Sequence, residues 1–376
     1  MKLLHIADLH AGKTLGKVSR NPDLEYALSQ VVEYAKEDGT EVLLVAGDVF
    51  DKANPDNESK ELIFDFFLRL KNIGTEVVVI AGNHDSYDFM KSIKGLTKLA
   101  NVHIYDRPSK EHFLYSVGEL KVACLPYPSE RVITGADEDS KKSYAELVGK
   151  FIRFLAESVK DARFKVLLAH LFIAGSTYTK TEREATITHH YAVQPASLSD
   201  IFDYVALGHV HKHQRIEKAP TYAYYTGSLY QLDFSEAGDK KFFNRILFED
   251  VQPRIEVVEL SLKNPLSVFN IEQSKIMGEL DKMKATPGYL KIVIKVEDKT
   301  KMPPLIEKLR EELGEKLIKI EQIEDSDKGK PGSPHPGTLD PLKLYREYYQ
   351  SAYGKELPEE IEKKFLELLR EAEGSI

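Results

Sequence analysis

At 376 residues the chain is longer than one hydrophobic core usually organises, so two or more units are expected. An apolar content of 42% suffices for globular cores, no apolar run approaches a membrane span, and the single cysteine, Cys124, excludes a disulfide framework. A net charge of −8 is the wrong sign for holding nucleic acid by bulk basicity, and the N-terminus runs straight into a strand without a signal-peptide pattern, so a cytoplasmic chain with no membrane attachment is expected.

The first apolar run, Lys2 to Ala7, reads as a buried strand and ends at Asp8-Leu-His10. Glu41 to Ala46 ends at Gly47-Asp48-Val-Phe-Asp51, and Glu76 to Ala81 ends at Gly82-Asn83-His84-Asp85. Cys124 lies in an apolar strand, Phe164 to Ala169 delivers His170, and Tyr204 to Leu207 delivers Gly208-His209-Val-His211. These runs are rich in Val, Ile and Leu and bounded by Gly or Asp, as strands buried on both faces are. In open α/β sheets, ligands gather outside the carboxyl ends of the strands, where loops from separate strands converge. Asn244 to Glu249 and Arg254 to Leu262 follow as strands that close a sheet, and Asn264-Pro265 marks a boundary. Beyond it Ser274 to Lys284 reads as helix, Tyr289 to Val296 as strand, Pro304 to Leu313 as helix and Leu317 to Ile323 as strand.

The residues at the strand ends form a coherent donor set. Imidazoles, carboxylates and one amide oxygen suit manganese, iron or zinc, and no thiolate favours copper or an iron–sulfur cluster. Two such ions about 3.5–4 Å apart clamp the attacking and departing oxygens of a phosphoryl group, and Asp48 is the candidate carboxylate that touches both. An Asp after a strand also serves as a helix cap, and Asp-x-His alone is a weak signal; the strength lies in the motifs taken together. His5, inside the first strand, reads as a core histidine with a hydrogen-bond partner, and His103, His112, His213 and His335 have no companion ligand at useful spacing.

On these motifs the chain resembles the calcineurin-like metallophosphoesterases, and within them the SbcD-type DNA double-strand-break repair nucleases. The resemblance implies a two-sheet α/β sandwich. It assigns Asp8, His10, Asp48 and His211 to one divalent ion and Asp48, Asn83, His170 and His209 to a second, both expected to be Mn²⁺. It places His84 outside the metal shell, assisting the leaving oxygen or neutralising charge on the phosphate. The expected orienting partner of that imidazole is Asp51, with Asp85 second. Aspartate at position 51, where archaeal and eukaryotic relatives commonly carry histidine, points to the bacterial branch. The activity implied is metal-dependent hydrolysis of DNA phosphodiesters, as single-strand endonuclease and 3′–5′ double-strand exonuclease, in DNA end processing and repair.

The resemblance also fixes the expected organisation. Residues 1–263 form the phosphoesterase domain, 264–326 a small α/β unit that caps the site and contacts DNA, 327–339 a Pro- and Gly-rich linker, and 340–376 a helix pair. In that pair Leu342, Tyr345, Tyr349 and Tyr353 make one helical stripe, and Ile361, Phe365, Leu368 and Leu369 a second. So short a pair needs another surface, which the resemblance supplies as the coiled-coil base of an SbcC-type ATPase on a separate chain. A homodimer is implied as well, with Leu62 to Leu70 and Phe89 to Leu99 as helical faces that either join copies or pack on the sheet. Lys13, Lys17 and Arg20 after the first motif, Lys212 after the last, and Tyr191 between the later ligands are candidate DNA contacts. A phosphatase or small-molecule phosphodiesterase with the same centre, or a non-catalytic DNA scaffold, are the alternatives.

Overall fold

The computed structural model describes residues 1–133, 143–179, 181–182, 191–250 and 252–324, together with residues 342, 345, 346, 349, 355, 357, 358, 361, 362, 364 and 365. Its first unit, Met1–Gln322, contains two six-stranded sheets stacked face to face. The first sheet runs in the order Arg254–Leu260, Lys241–Leu247, Lys2–Ile6, Val42–Val45, Glu76–Ile80, Val102–Tyr105. Its last four strands are parallel, and Lys241–Leu247 and Arg254–Leu260 pair antiparallel at the other edge. The second sheet runs Gln214–Arg215, Tyr222–Tyr225, Tyr204–Gly208, Phe164–His170, Leu120–Leu125, Leu114–Val117, with a parallel centre and antiparallel edges.

The period of two along each strand separates the layers. From Lys2–Ile6, Leu3 faces the opposite sheet and, with Leu44 and Val78 of its own sheet, packs with Val122, Val166 and Tyr204 of the other; Leu4 and Ile6 face the helices Asn21–Asp38 and Asn57–Asn72. From the second sheet, Leu167, Ala169, Val205 and Leu207 pack on the helix Tyr144–Val159. Both sheets are therefore covered on both faces, as the near-continuous apolar runs require. His5 is fully buried between the sheets with Nδ1 3.0 Å from the Tyr204 hydroxyl, and burial lowers its pKa to about 3. It is the core histidine expected from its place in the strand.

A third sheet of three strands, Leu266–Glu272, Tyr289–Val296 and Leu317–Glu324, packs with the helices Ile276–Ala285 and Met302–Leu313 around Ile276, Met283, Leu290, Ile292, Ile294 and Leu309. The strand Leu266–Glu272 adds to the four elements expected in this region. It is anchored to the rest of the unit through Leu266, which packs with Leu15 of the short strand Thr14–Leu15 and Phe234 of the turn Phe234–Glu236. Arg20 completes this junction, and its expected role as a DNA contact is corrected here. Only 1% of Arg20 is exposed; Nε lies 3.2 Å from Asp23 Oδ2, and the guanidinium sits against the rings of Tyr230 and Tyr289. A phosphate cannot reach it, because the side chain turns inward to neutralise Asp23 rather than outward as the exposed Lys17 does.

In the second unit, Ile323–Ile376, Leu342, Tyr345, Arg346 and Tyr349 are helical, as are Ile361, Glu362, Lys364 and Phe365. The rings of Tyr345 and Phe365 stack at 4.4 Å and 10°, and Arg346 Nε donates to Glu362 at 2.9 Å. Tyr353, Leu368, Leu369 and the expected linker 327–339 lie outside the described residues. No helix among the described residues is long and apolar enough to cross a membrane.

Candidate metal centre

The five strand ends converge at one edge of the sandwich. Lys2–Ile6, Val42–Val45 and Glu76–Ile80 bring Asp8, His10, Asp48 and Asn83 from the first sheet; Phe164–His170 and Tyr204–Gly208 bring His170, His209 and His211 from the second. The turns that achieve this are strained. Asp8, His10, Asp48 and His209 all adopt positive φ, at 53°, 46°, 50° and 103°. Non-glycine residues rarely do so, and such strain persists where the surrounding structure holds it for a site. The backbone clamps these turns together: Asp8 N donates to Gly47 O at 3.1 Å and His10 N to Asp48 O at 2.9 Å. Gly82 has to be glycine, since a Cβ there would stand 2.1 Å from Asp48 Oδ1.

Ligand atoms of Asp8, His10, Asp48 and His211 all lie within 4.8 Å of one another. His10 Nε2 and His211 Nε2 are 3.2 Å apart. His10 presents its other nitrogen to Asp51 Oδ1 at 3.2 Å, and His211 presents its other nitrogen to Thr181 Oγ1 at 2.6 Å. A carboxylate only accepts, so the His10 proton belongs on Nδ1 and its Nε2 carries a lone pair. A cation placed between the two Nε2 atoms would accept a lone pair from each.

The arrangement repeats on the other side of Asp48. His170 Nδ1 donates to the Ala46 carbonyl at 2.8 Å, which leaves its Nε2 facing Asn83 Oδ1 at 2.9 Å and Asp48 Oδ2 at 3.5 Å. Asn83 Oδ1 also faces His209 Nδ1 at 2.8 Å. Asp48 Oδ2 is 3.7 Å from His10 Nε2, so one carboxylate oxygen stands between the two groups of nitrogens. The donor set and its crowding fit two divalent cations sharing Asp48.

Electrostatics point the same way. Burial opposes a charge on His170, yet Asp48, Asp8 and the Ala46 carbonyl outweigh it and raise its pKa to about 9. Burial would also raise Asp48, but His170, His84 and His10 hold it well below the usual carboxylate range, whereas Asp8 is pushed up by burial and by Asp48. The centre attracts positive charge, and a metal can supply it where a proton otherwise would.

His84 stands next to this centre, its ring edge-on to His10 at 4.7 Å. Its Nδ1 lies 2.8 Å from the backbone carbonyl of Asp51, the expected partner, whose carboxylate faces His10 and Lys13 Nζ. The His84 amide donates to Asp48 Oδ1 at 2.8 Å. Asp85, the second candidate partner, serves the backbone instead: it accepts from the amides of Gly82, Phe50 and Val49 and ties the second and third motifs together. Its burial and the nearby Asp48 raise its pKa to about 6.

Among the other candidate contacts, Lys17 and Lys212 are exposed, Lys13 is tied to Asp51, and Tyr191 packs edge-on against Tyr144 and donates to Glu130 at 3.1 Å. Residues without a motif also reach the site. Tyr127 lies parallel to His209, and the Tyr230 hydroxyl donates to the carbonyl of His10.

The family model for calcineurin-like phosphoesterases matches residues 1–213. The chain belongs to this family. It is also 29% identical to the SbcD component of the SbcCD nuclease of Bacillus subtilis, over 98% of this chain and 97% of that one. Among solved structures, a dimetal phosphatase from Danio rerio aligns over 69% of this chain and 96% of its own at 11% identity and a TM-score of 0.45. A hypothetical protein from Pyrococcus horikoshii aligns over 76% of this chain and 94% of its own, at 12% identity and a TM-score of 0.30. The chain is thus a mixed α/β phosphoesterase with a candidate dinuclear centre of Asp and His residues.

Proposed function

We propose that this phosphoesterase is a Mn²⁺-dependent DNA nuclease, cutting single strands internally and duplex ends from 3′ to 5′, and that it works in repair with an SbcC-type ATPase. The observation that carries the reading is the similarity to the SbcD component across 98% of the chain, which continues far beyond the phosphoesterase match into the third sheet and the helix pair. A phosphatase or small-molecule phosphodiesterase has no evident use for those additions. On this reading Asp8, His10, Asp48 and His211 hold one ion and Asp48, Asn83, His170 and His209 the other. Bound there, the ions supply Lewis acidity to the phosphoryl oxygens and acidify water.

The chain's own residues do the rest. Asp48 keeps the two sites in register, and its Oδ1 also fixes the backbone of His84. A carbonyl only accepts, so Asp51 O holds a proton on His84 Nδ1, and proton exchange with the leaving oxygen takes place at Nε2. The third sheet, joined to the rest of the unit at Arg20 and Leu266, is the proposed cap, and Lys13, Lys17 and Lys212 the proposed phosphate contacts. The exposed Leu68, Leu96 and Leu99, on or just after the helices Asn57–Asn72 and Tyr87–Thr97, suit a contact between two copies. Leu342, Tyr345, Tyr349, Tyr353, Ile361, Phe365, Leu368 and Leu369 are the proposed ATPase contacts.

The test is cleavage of end-labelled single- and double-stranded DNA by the purified chain with Mn²⁺, Mg²⁺ or chelator, beside a small phosphodiester and a phosphopeptide. DNA cleavage that requires Mn²⁺ is expected. Activity restricted to the phosphopeptide or the small ester would overturn the substrate while retaining the centre.

A further inference from the structure

A buried polar network behind His211 has no part in the reaction described above. Thr181 Oγ1, 2.6 Å from His211 Nδ1, lies 2.6 Å from Glu236 Oε1. Glu236 Oε2 accepts from Lys241 Nζ at 2.6 Å and from the Leu232 amide at 3.1 Å. Lys241 also donates to Ser228 Oγ at 2.8 Å and to the His211 carbonyl at 3.4 Å. Glu182 Oε1 accepts the His211 amide at 3.0 Å, and Thr179 Oγ1 lies 2.5 Å from Thr181 Oγ1. Glu236 is 0% exposed and Lys241 3%.

A buried ion pair is poor evidence of stabilisation, because apolar side chains of similar volume commonly do as well. Its placement suggests another purpose. Lys241 begins a strand of the first sheet, Glu236 ends the turn Phe234–Glu236, and Thr181 lies beyond the Phe164–His170 strand of the second sheet. The three converge on the face of His211 turned away from its Nε2.

Donor and acceptor rules then fix the imidazole. Lys241 only donates, ionised Glu236 only accepts, and the single Thr181 hydroxyl proton goes to the charged acceptor in preference to neutral Thr179. Towards His211, Thr181 is left as an acceptor, so the proton sits on Nδ1 and the Nε2 lone pair faces the first metal position.

We propose that Glu236, held by Lys241 and acting through Thr181, is a positioning residue that sets the tautomer of His211 and so the affinity of the first metal site. The proposal rests on the dinuclear reading of the centre. It says that loosening this relay weakens one metal equivalent and spares the one held by Asn83, His170 and His209.

Equilibrium binding of Mn²⁺ to the full chain tests it. Wild type should take up two equivalents. In Thr181→Val and Glu236→Gln one of the two should weaken by about 10–100-fold, the cost usual for an outer-shell partner. Thr181→Ser, which restores the hydroxyl, should bind as wild type. A structural role alone would shift the unfolding midpoint without separating the two affinities. Folded Thr181→Val with both affinities unchanged, or with both lowered equally, refutes the relay. A wild-type stoichiometry other than two refutes the dinuclear reading instead.

Discussion

Replacing His84 by Ser is expected to lower the rate of phosphodiester cleavage by about 10²–10⁴-fold while leaving metal uptake at its wild-type value. The split follows from position. His84 Nδ1 is committed to the Asp51 carbonyl, its amide holds Asp48, and although ligand atoms of His84, His10 and Asp51 also come within 4.8 Å of one another, its ring lies outside the cluster of Asp8, His10, Asp48 and His211. Serine keeps the backbone amide that braces Asp48 and removes only the imidazole. Single-turnover cleavage beside a Mn²⁺ titration of the same preparation checks both halves. Normal turnover would remove His84 from the chemistry, and loss of metal would place it among the ligands.

Asp48→Asn should have the opposite signature, weakening both metal equivalents together and abolishing cleavage. Asp48 Oδ2 stands 3.7 Å from His10 Nε2 and 3.5 Å from His170 Nε2, so a single oxygen serves both groups. An amide there either turns its NH₂ towards the two lone pairs, taking the place of the cations, or turns it towards the His84 amide and loses that bond. Either way the loss per ion should exceed the roughly 10–100-fold typical of an outer-shell partner. Equilibrium dialysis against Mn²⁺ reads it, and a variant that loses a single equivalent would assign Asp48 to one ion only.

Much of this centre is legible in the sequence because each motif directly follows an apolar run, so that finding the strand also places the ligand. What escapes is the backbone between them. Nothing in Asp8-Leu-His10 announces two positive-φ turns, which arise only when Gly47, Asp48 and their hydrogen bonds close over the first strand. The Asp51 carboxylate looks in sequence like the partner of His84, yet the geometry uses its carbonyl, a group every residue carries and no pattern distinguishes. Arg20 reads as a solvated loop cation next to Lys13 and Lys17, because Tyr230, Asn264 and Tyr289, which bury it, are more than two hundred residues away. The strand Leu266–Glu272 lies at the edge of its small sheet with only Leu266 fully buried, so Ser267 and Asn270 blur its alternation. Thr181, Glu236 and Lys241 belong to no motif, and only the fold brings them behind His211.

Whether Asp48 joins two ions can be read directly by anomalous diffraction from crystals of the full chain grown with Mn²⁺. Two peaks are expected, one against Asp8, His10 and His211, the other against Asn83, His170 and His209, with Asp48 touching both. A single peak, or two peaks with Asp48 on only one, would contradict the dinuclear centre.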